Sequence, residues 1–199
     1  MNLEFKTVFV LAPHADDLEF GCGGLIARLA DSGSDIYSLV FSAAEERKEE
    51  MIKASSILGV KKTFIFNLPI RNLGKHRQAI LDKLIKMKEK FKPDLVIQPC
   101  LNDIHQDHQI IAMEGIRAFK GTNLWGYEVL ANNLIFDFQL FIKINETDLE
   151  KKIKAIECYK SQNHRRYLDE DFIRSLAKVR GVQIGSRYAE AFNVIREVL

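Results

Sequence analysis

The side chains with chemistry to offer fall into two short clusters. His14, Asp16 and Asp17 follow the apolar run Val8-Phe9-Val10-Leu11-Ala12, and His105, Asp107 and His108 stand together much later in the chain. Packing imidazoles and carboxylates this tightly is costly unless a cation or a reaction uses them. They are also the ligand types of a catalytic zinc ion, which takes three protein ligands and keeps a fourth position for water. Two ligands from one cluster and one from the other meet that count. Water on such an ion has its pKa lowered toward about 7, and two adjacent aspartates allow one to bind while the other takes a proton.

For the clusters to meet, the elements before them must end at the same rim. Thr7–Ala12 is a short, continuous apolar run and reads as a strand buried on both faces. Residues 94–98 read the same way, with a polar loop over 99–107. Between them the pattern predicts a helix that starts over Gly23 to Leu29 and ends near Asp31-Ser32-Gly33, a strand over 35–41 and an amphipathic helix over 45–58 stopped by Gly59. A short strand over 63–66, a helix over 75–91 and, after the loop, a helix over 110–119 follow. This alternation implies βαβ units and a parallel sheet, whose ligands bind outside the carboxyl ends of the strands. After Gly121 the pattern changes. Strands are expected over 124–130 and 134–144 (the second at an edge), helices over 147–161, with Thr147 as N-cap, and 172–179, and a last strand over 189–195. The expected fold class is α/β: a single Rossmann-like domain over residues 1–199, its mostly parallel sheet flanked by helices.

The glycines Gly21, Gly23 and Gly24 invite a dinucleotide-binding reading. That motif needs its glycines directly after the strand, so that backbone N–H groups face a pyrophosphate. Here two aspartates intervene and would repel phosphate, so the glycines are read as positions of close packing.

Length fits one domain. The 29 basic and 27 acidic residues leave a net charge of +2, which gives no footprint for nucleic acid or a membrane surface. Lysine-rich stretches over 83–92 and 151–154 are broken by apolar residues at helical spacing and read as solvated helix faces. Three cysteines without CxxC spacing point away from disulfides and toward a reducing cytoplasm. Cys100 is read as a small buried residue. No signal-peptide pattern and no bilayer-length apolar run stand in the sequence.

Pro13-His14-Ala15-Asp16-Asp17, followed by His105-Gln106-Asp107-His108, resembles the PIG-L/LmbE-like family of zinc-dependent N-deacetylases. The resemblance extends to Arg47 through Glu50, Leu58-Gly59-Val60, Asn102-Asp103, Arg180-Gly181 and Tyr188-Ala189-Glu190-Ala191-Phe192. It implies Zn2+ held by His14, Asp17 and His108, with Asp16 as general base. It further implies His105 as the group that, when protonated, stabilises the oxyanion or protonates the amine, and Asp107 as a carboxylate orienting a histidine. The implied substrate is a small N-acetylated amino sugar or sugar conjugate, and family members often form homo-oligomers. Some members carry a tyrosine where this chain has Asp103; Tyr127, Tyr188 and His164 are candidates to replace it. Arg71, Asn102 and Tyr127 are the expected substrate contacts. A metal-dependent phosphoester hydrolase and a non-catalytic sugar-binding or scaffold protein are the competing readings.

Overall fold

The computed structural model describes residues 4–162 and 169–198. Among them the strands β1 (Thr7–Ala12), β2 (Asp35–Val40), β3 (Lys62–Ile65), β4 (Leu95–Pro99), β5 (Asn123–Tyr127), β6 (Leu140–Lys143) and β7 (Ala189–Arg196) form one seven-stranded sheet. Its order is β3-β2-β1-β4-β5-β7-β6. The first five strands run parallel, and β7 pairs antiparallel with both β5 and β6. The helices are α1 (Asp17–Asp31), α2 (Glu45–Ile57), α3 (Arg77–Phe91), α4 (Gln106–Ala118), α5 (Glu146–Ile156) and α6 (Glu170–Val182). This is the expected α/β class. None of the described helices is long and apolar enough to cross a membrane.

Alternation along β1 sorts its side chains to two cores. Val8, Val10 and Ala12 pack with residues of α1, α2, α5 and α6, whereas Phe9 and Leu11 pack with residues of α3 and α4. A strand covered on both faces has no polar side to show, which is why β1 reads as an unbroken apolar run. The strand order reverses between β1 and β4, and the crevice beyond their carboxyl ends is where such sheets bind ligands.

Helix α1 begins at Asp17, six residues ahead of the expected start, and breaks at Cys22 (φ −147°, ψ 20°). The break is closed from the far end of the chain. The Gly24 and Leu25 N–H groups donate to the Glu190 carboxylate (3.0 and 2.7 Å), which also takes the Lys152 ammonium at 2.6 Å. A Cβ on Gly21 would lie 2.3 Å from the Tyr127 ring, and one on Gly24 would lie 2.8 Å from Ile144 Cδ1. The glycines thus sit where the helix meets β5 and the entry to α5.

Other boundaries move for local reasons. Helix α4 starts at Gln106, not 110, with His105 as its N-cap. Helix α5 is capped by Asn145 and not by Thr147: Asn145 Oδ1 accepts the Asp148 N–H and Asp148 Oδ2 accepts the Asn145 N–H, both at 2.8 Å. It ends at Ile156, short of 161. Of the strand expected over 134–144, only Leu140–Lys143 forms, at the sheet edge. Beside it the Gln139 N–H donates to the Phe192 carbonyl (3.2 Å), and side chains add to that one backbone bond: Gln139 Oε1 accepts the Val194 N–H (3.3 Å) and Asn193 Nδ2 donates to the Asp137 carbonyl (3.0 Å).

Candidate active site

Pro13 ends β1, and His14 to Asp17 form the turn into α1. Asp17 Oδ2 accepts the His14 backbone N–H at 2.8 Å, which folds the turn back on itself. The Tyr159 hydroxyl donates to the Ala15 carbonyl and fixes the turn from behind. The second cluster enters from the loop after β4 and the first turn of α4. His105, at the N-cap, accepts the Asp107 N–H on its Nδ1 (3.2 Å).

Three ligand atoms converge between the loops. Asp17 Oδ2 lies 3.3 Å from His14 Nδ1 and 3.2 Å from His108 Nε2, and those two nitrogens are 3.3 Å apart. Donors around a tetrahedral zinc ion at about 2.0–2.1 Å stand about 3.3 Å from one another. The three atoms therefore form one face of such a tetrahedron, and the donor set fits zinc. His14, His105 and Asp107 make a second possible grouping, but Asp107 is already committed. Its Oδ2 accepts the Arg71 N–H (2.7 Å) and faces His14 Nε2 (3.0 Å), and its Oδ1 accepts the Leu73 N–H (3.2 Å). That carboxylate ties the loops after β1, β3 and β4 together.

Each histidine of the triad is backed by a carboxylate. Asp107 holds His14, and Asp103 Oδ2 lies 2.7 Å from His108 Nδ1. Asp103 also accepts the His105 N–H on Oδ1 (2.8 Å) and the Asn132 amide on Oδ2 (3.3 Å). Burial works against the charged form of His14, yet its hydrogen bonds to Asp107 and Asp17 raise its pKa to about 9. For His108 burial is likewise outweighed, by the Asp17 charge and the Asp103 hydrogen bond, and the pKa rises to about 10. Burial opposes ionisation of Asp17, but His108 and His14 hold its carboxyl well below the usual range. His105 differs: partial burial and then the neighbouring His108 and His14 lower its pKa, so it is neutral at neutral pH. Because Nδ1 accepts a backbone N–H, the neutral ring carries its proton on Nε2. Beneath the turn, burial pushes Glu19 up to about 8, with the charges of Asp16 and Asp17 adding to it.

The triad opens into a cavity of about 430 Å³, lined also by Asp16, Arg47, Arg71, His105 and Asn132. Arg47 Nη1 stands 3.8 Å from Asp16 Oδ1, and its buried Nε has no hydrogen-bond partner among the described residues. Of the expected substrate contacts, only Arg71 lines this cavity. Asn102 is exposed outside it. Tyr127 is fully buried, donates its hydroxyl to the Leu11 carbonyl (3.1 Å) and packs on Gly21, so it is a core residue. Tyr188 packs in the core cluster around α5 and α6, away from the cavity. His164 lies outside the described residues. Cys100 is buried, as expected, and receives the Asn133 amide. Sequence reasoning missed two groups. Asp103 enters the sequence reading through the family resemblance and as a departure from a tyrosine, not as a partner of His108; an acid five residues before a histidine at a loop–helix junction is the available signal. Arg47 was noted only within a helix.

Residues 9–119 match the family model described as PIG-L: GlcNAc-PI de-N-acetylase. The chain is 26% identical to diacetylchitobiose deacetylase of Thermococcus kodakarensis, over 96% of this chain and 84% of that protein. It is 28% identical to the uncharacterized deacetylase YaiS of Escherichia coli K12, over 78% of this chain and 91% of that one. Among solved structures, the 4-carboxy-2-hydroxymuconate hydratase GalB of Pseudomonas putida KT2440 superposes with a TM-score of 0.84 at 20% identity, covering 98% of both chains. Likeness at that identity speaks for the fold alone, and the fold hosts more than one reaction.

Proposed function

The chain belongs to the PIG-L family, and from that premise we propose that it is a zinc-dependent N-deacetylase releasing acetate from an N-acetylated amino sugar or sugar conjugate. One observation carries the reading: His14 Nδ1, Asp17 Oδ2 and His108 Nε2 form a triangle 3.2–3.3 Å on edge that opens into the cavity holding Asp16 and His105.

In this proposal His14, Asp17 and His108 hold the ion. A bound zinc ion supplies Lewis acidity, lowering the pKa of water toward about 7 and polarising the amide carbonyl. Asp16 accepts a proton as the water oxygen bonds to the carbonyl carbon and the C=O electron pair moves onto oxygen. His105, neutral with its proton on Nε2, donates a hydrogen bond to that developing oxyanion, the interaction that contributes most in acyl transfer. The protonated Asp16 then gives its proton to the amine nitrogen as the C–N bond breaks, leaving acetate and the free amino sugar. Arg47 places a positive charge beside Asp16 while it does so. Asp107 and Asp103 are positioning residues that fix the rings of His14 and His108. The sugar occupies the cavity, with the Asn132 side-chain carbonyl and the Arg47 guanidinium among the groups that would meet its hydroxyls.

The test is acetate release from a panel of N-acetylated mono- and disaccharides by the wild-type protein and by Asp16→Asn. The reading requires turnover that the substitution abolishes. Hydrolysis retained in Asp16→Asn would remove Asp16 from its role, and no acetate from any sugar would remove the deacetylase assignment.

A further inference from the structure

Arg180, on α6, is buried and stands outside the cavity wall, yet it grips the loop that supplies part of that wall. Its Nε donates to Glu128 Oε2 at 3.0 Å and its Nη2 donates to Glu128 Oε1, so guanidinium and buried carboxylate meet fork to fork. Its Nη1 donates to Gln183 Oε1 at 3.1 Å, which fixes the group on α6. The Phe136 ring covers the same guanidinium, with Cζ 3.9 Å from the ring centroid. Glu128 and Phe136 stand at the two ends of the loop that follows β5. Arg180 is therefore a clasp that holds both ends of the loop to one planar group.

What lies between those ends belongs to the site. Val129, Ala131 and Asn132 line the cavity. The Asn132 carbonyl accepts the Ile104 N–H (3.2 Å), the Asn132 amide donates to Asp103 Oδ2 (3.3 Å), and the Asn133 amide donates to Cys100 Sγ (2.9 Å). These bonds brace the loop after β4, where Asp103 meets His108 Nδ1 (2.7 Å) and accepts the His105 N–H (2.8 Å). The bracing loop has little packing of its own: Ala131, Leu134 and Ile135 are exposed, and Phe136 is half-buried against Arg180, Phe138 and Phe141. A segment that buries so little apolar surface opens easily unless its ends are tied. A buried ion pair adds little stability over apolar residues of the same size. What this one adds is the fixed geometry of the loop.

We propose that Arg180 is a positioning residue of the metal centre: by clasping the loop after β5 it sets Asn132 against Asp103, and through Asp103 it sets the ring of His108. The inference rests on the assignment of His14, Asp17 and His108 as zinc ligands and adds a residue that touches neither the ion nor the substrate.

The experiment is a double-mutant cycle read as zinc affinity by chelator competition, which needs no substrate. Arg180→Lys keeps a charge opposite Glu128 but loses the fork and the stacking face. It should weaken zinc binding about threefold to tenfold, at or below the lower end of the loss typical of an orienting partner itself. Placed on Asp103→Asn, where the connection to His108 is already cut, the same substitution should cost less than about twofold. Phe136→Leu opens the other end of the clasp at a half-exposed ring. It should shift zinc affinity in the same direction and lose that effect on Asp103→Asn, and it decides the question if the lysine variant does not fold. Wild-type zinc affinity in the single variants would overturn the inference, as would an equal loss with and without Asp103, which is the mark of a residue that only stabilises the fold. A wild-type protein that binds no zinc would remove the metal assignment and the inference with it, whereas zinc binding without acetate release from any sugar would remove the deacetylase reading and leave the cycle to decide the role of Arg180.

Discussion

Asp103 stands behind His108: its Oδ2 lies 2.7 Å from Nδ1, which turns Nε2 toward Asp17 and His14. Metal-binding histidines depend on such a partner for ring orientation and basicity, and its loss typically weakens metal affinity about 10–100-fold. Asp103→Asn should therefore lose metal affinity by about that factor in a chelator-competition titration while keeping its far-ultraviolet circular dichroism. Unchanged affinity would show that the ring is held by other contacts.

In the metal-free protein, His14 and His108 hold protons above their ordinary range, to about 9 and about 10. The outer nitrogens face Asp107 and Asp103, and the 3.3 Å approach of His14 Nδ1 to His108 Nε2 fits a further N–H between the rings, so at least one of the two is an imidazolium at pH 7. Both pKa values are raised on folding. Their contribution to stability is fully present below the ordinary value of 6.5 and fades as pH rises through 9 to 10. Chelated protein should lose melting temperature from this pair over that window. Zinc binding requires neutral rings, so the loaded protein should lack this loss, and uptake at pH 7 should release at least one proton. Calorimetry in buffers of different ionisation enthalpy measures that release; uptake without it would contradict the protonation assigned to the pair.

Tyr127→Phe removes one buried hydrogen bond, to the Leu11 carbonyl, and leaves the ring packed on Gly21. Denaturant unfolding should show a loss of about 1 kcal/mol, with steady-state kinetics unchanged. A selective fall in kcat would return Tyr127 to the site.

Glu190→Ala strands the Lys152 ammonium and the Gly24 and Leu25 N–H groups in the interior at once. Breaking one side of a buried pair costs about 3–5 kcal/mol, and chemical denaturation should register a loss of that order. Glu190→Gln, which keeps an acceptor, should lose less. Equal stability of wild type and Glu190→Ala would mean that the helix break needs no carboxylate.

What the sequence made legible was local. The unbroken apolar runs of β1 and β4, and the polar clusters at their carboxyl ends, were enough to bring His14 and His108 to one rim, because a parallel sheet leaves those ends few other places to go. The start of α1 was hidden because a break at Cys22 is satisfied by Glu190, far away in sequence. Tyr127 looked like a polar side chain near the site because nothing local reveals that its hydroxyl reaches the Leu11 carbonyl. The tautomer of His105 was equally out of reach. It depends on the N-cap bond from Asp107, which appears only once α4 is seen to start at Gln106. In the metal-free protein, burial and then the neighbouring His108 and His14 lower the pKa of that ring.

The central claim is that His14, Asp17 and His108 hold one zinc ion that works with Asp16. The most direct measurement strips the purified protein with a chelator, titrates zinc back and follows acetate release from an N-acetylated sugar. The account predicts no turnover when stripped, a linear recovery that levels off at one zinc per chain, and Asp16→Asn protein that takes up the same single zinc without recovering. Full turnover in stripped protein, or recovery that requires a second ion per chain, would contradict it.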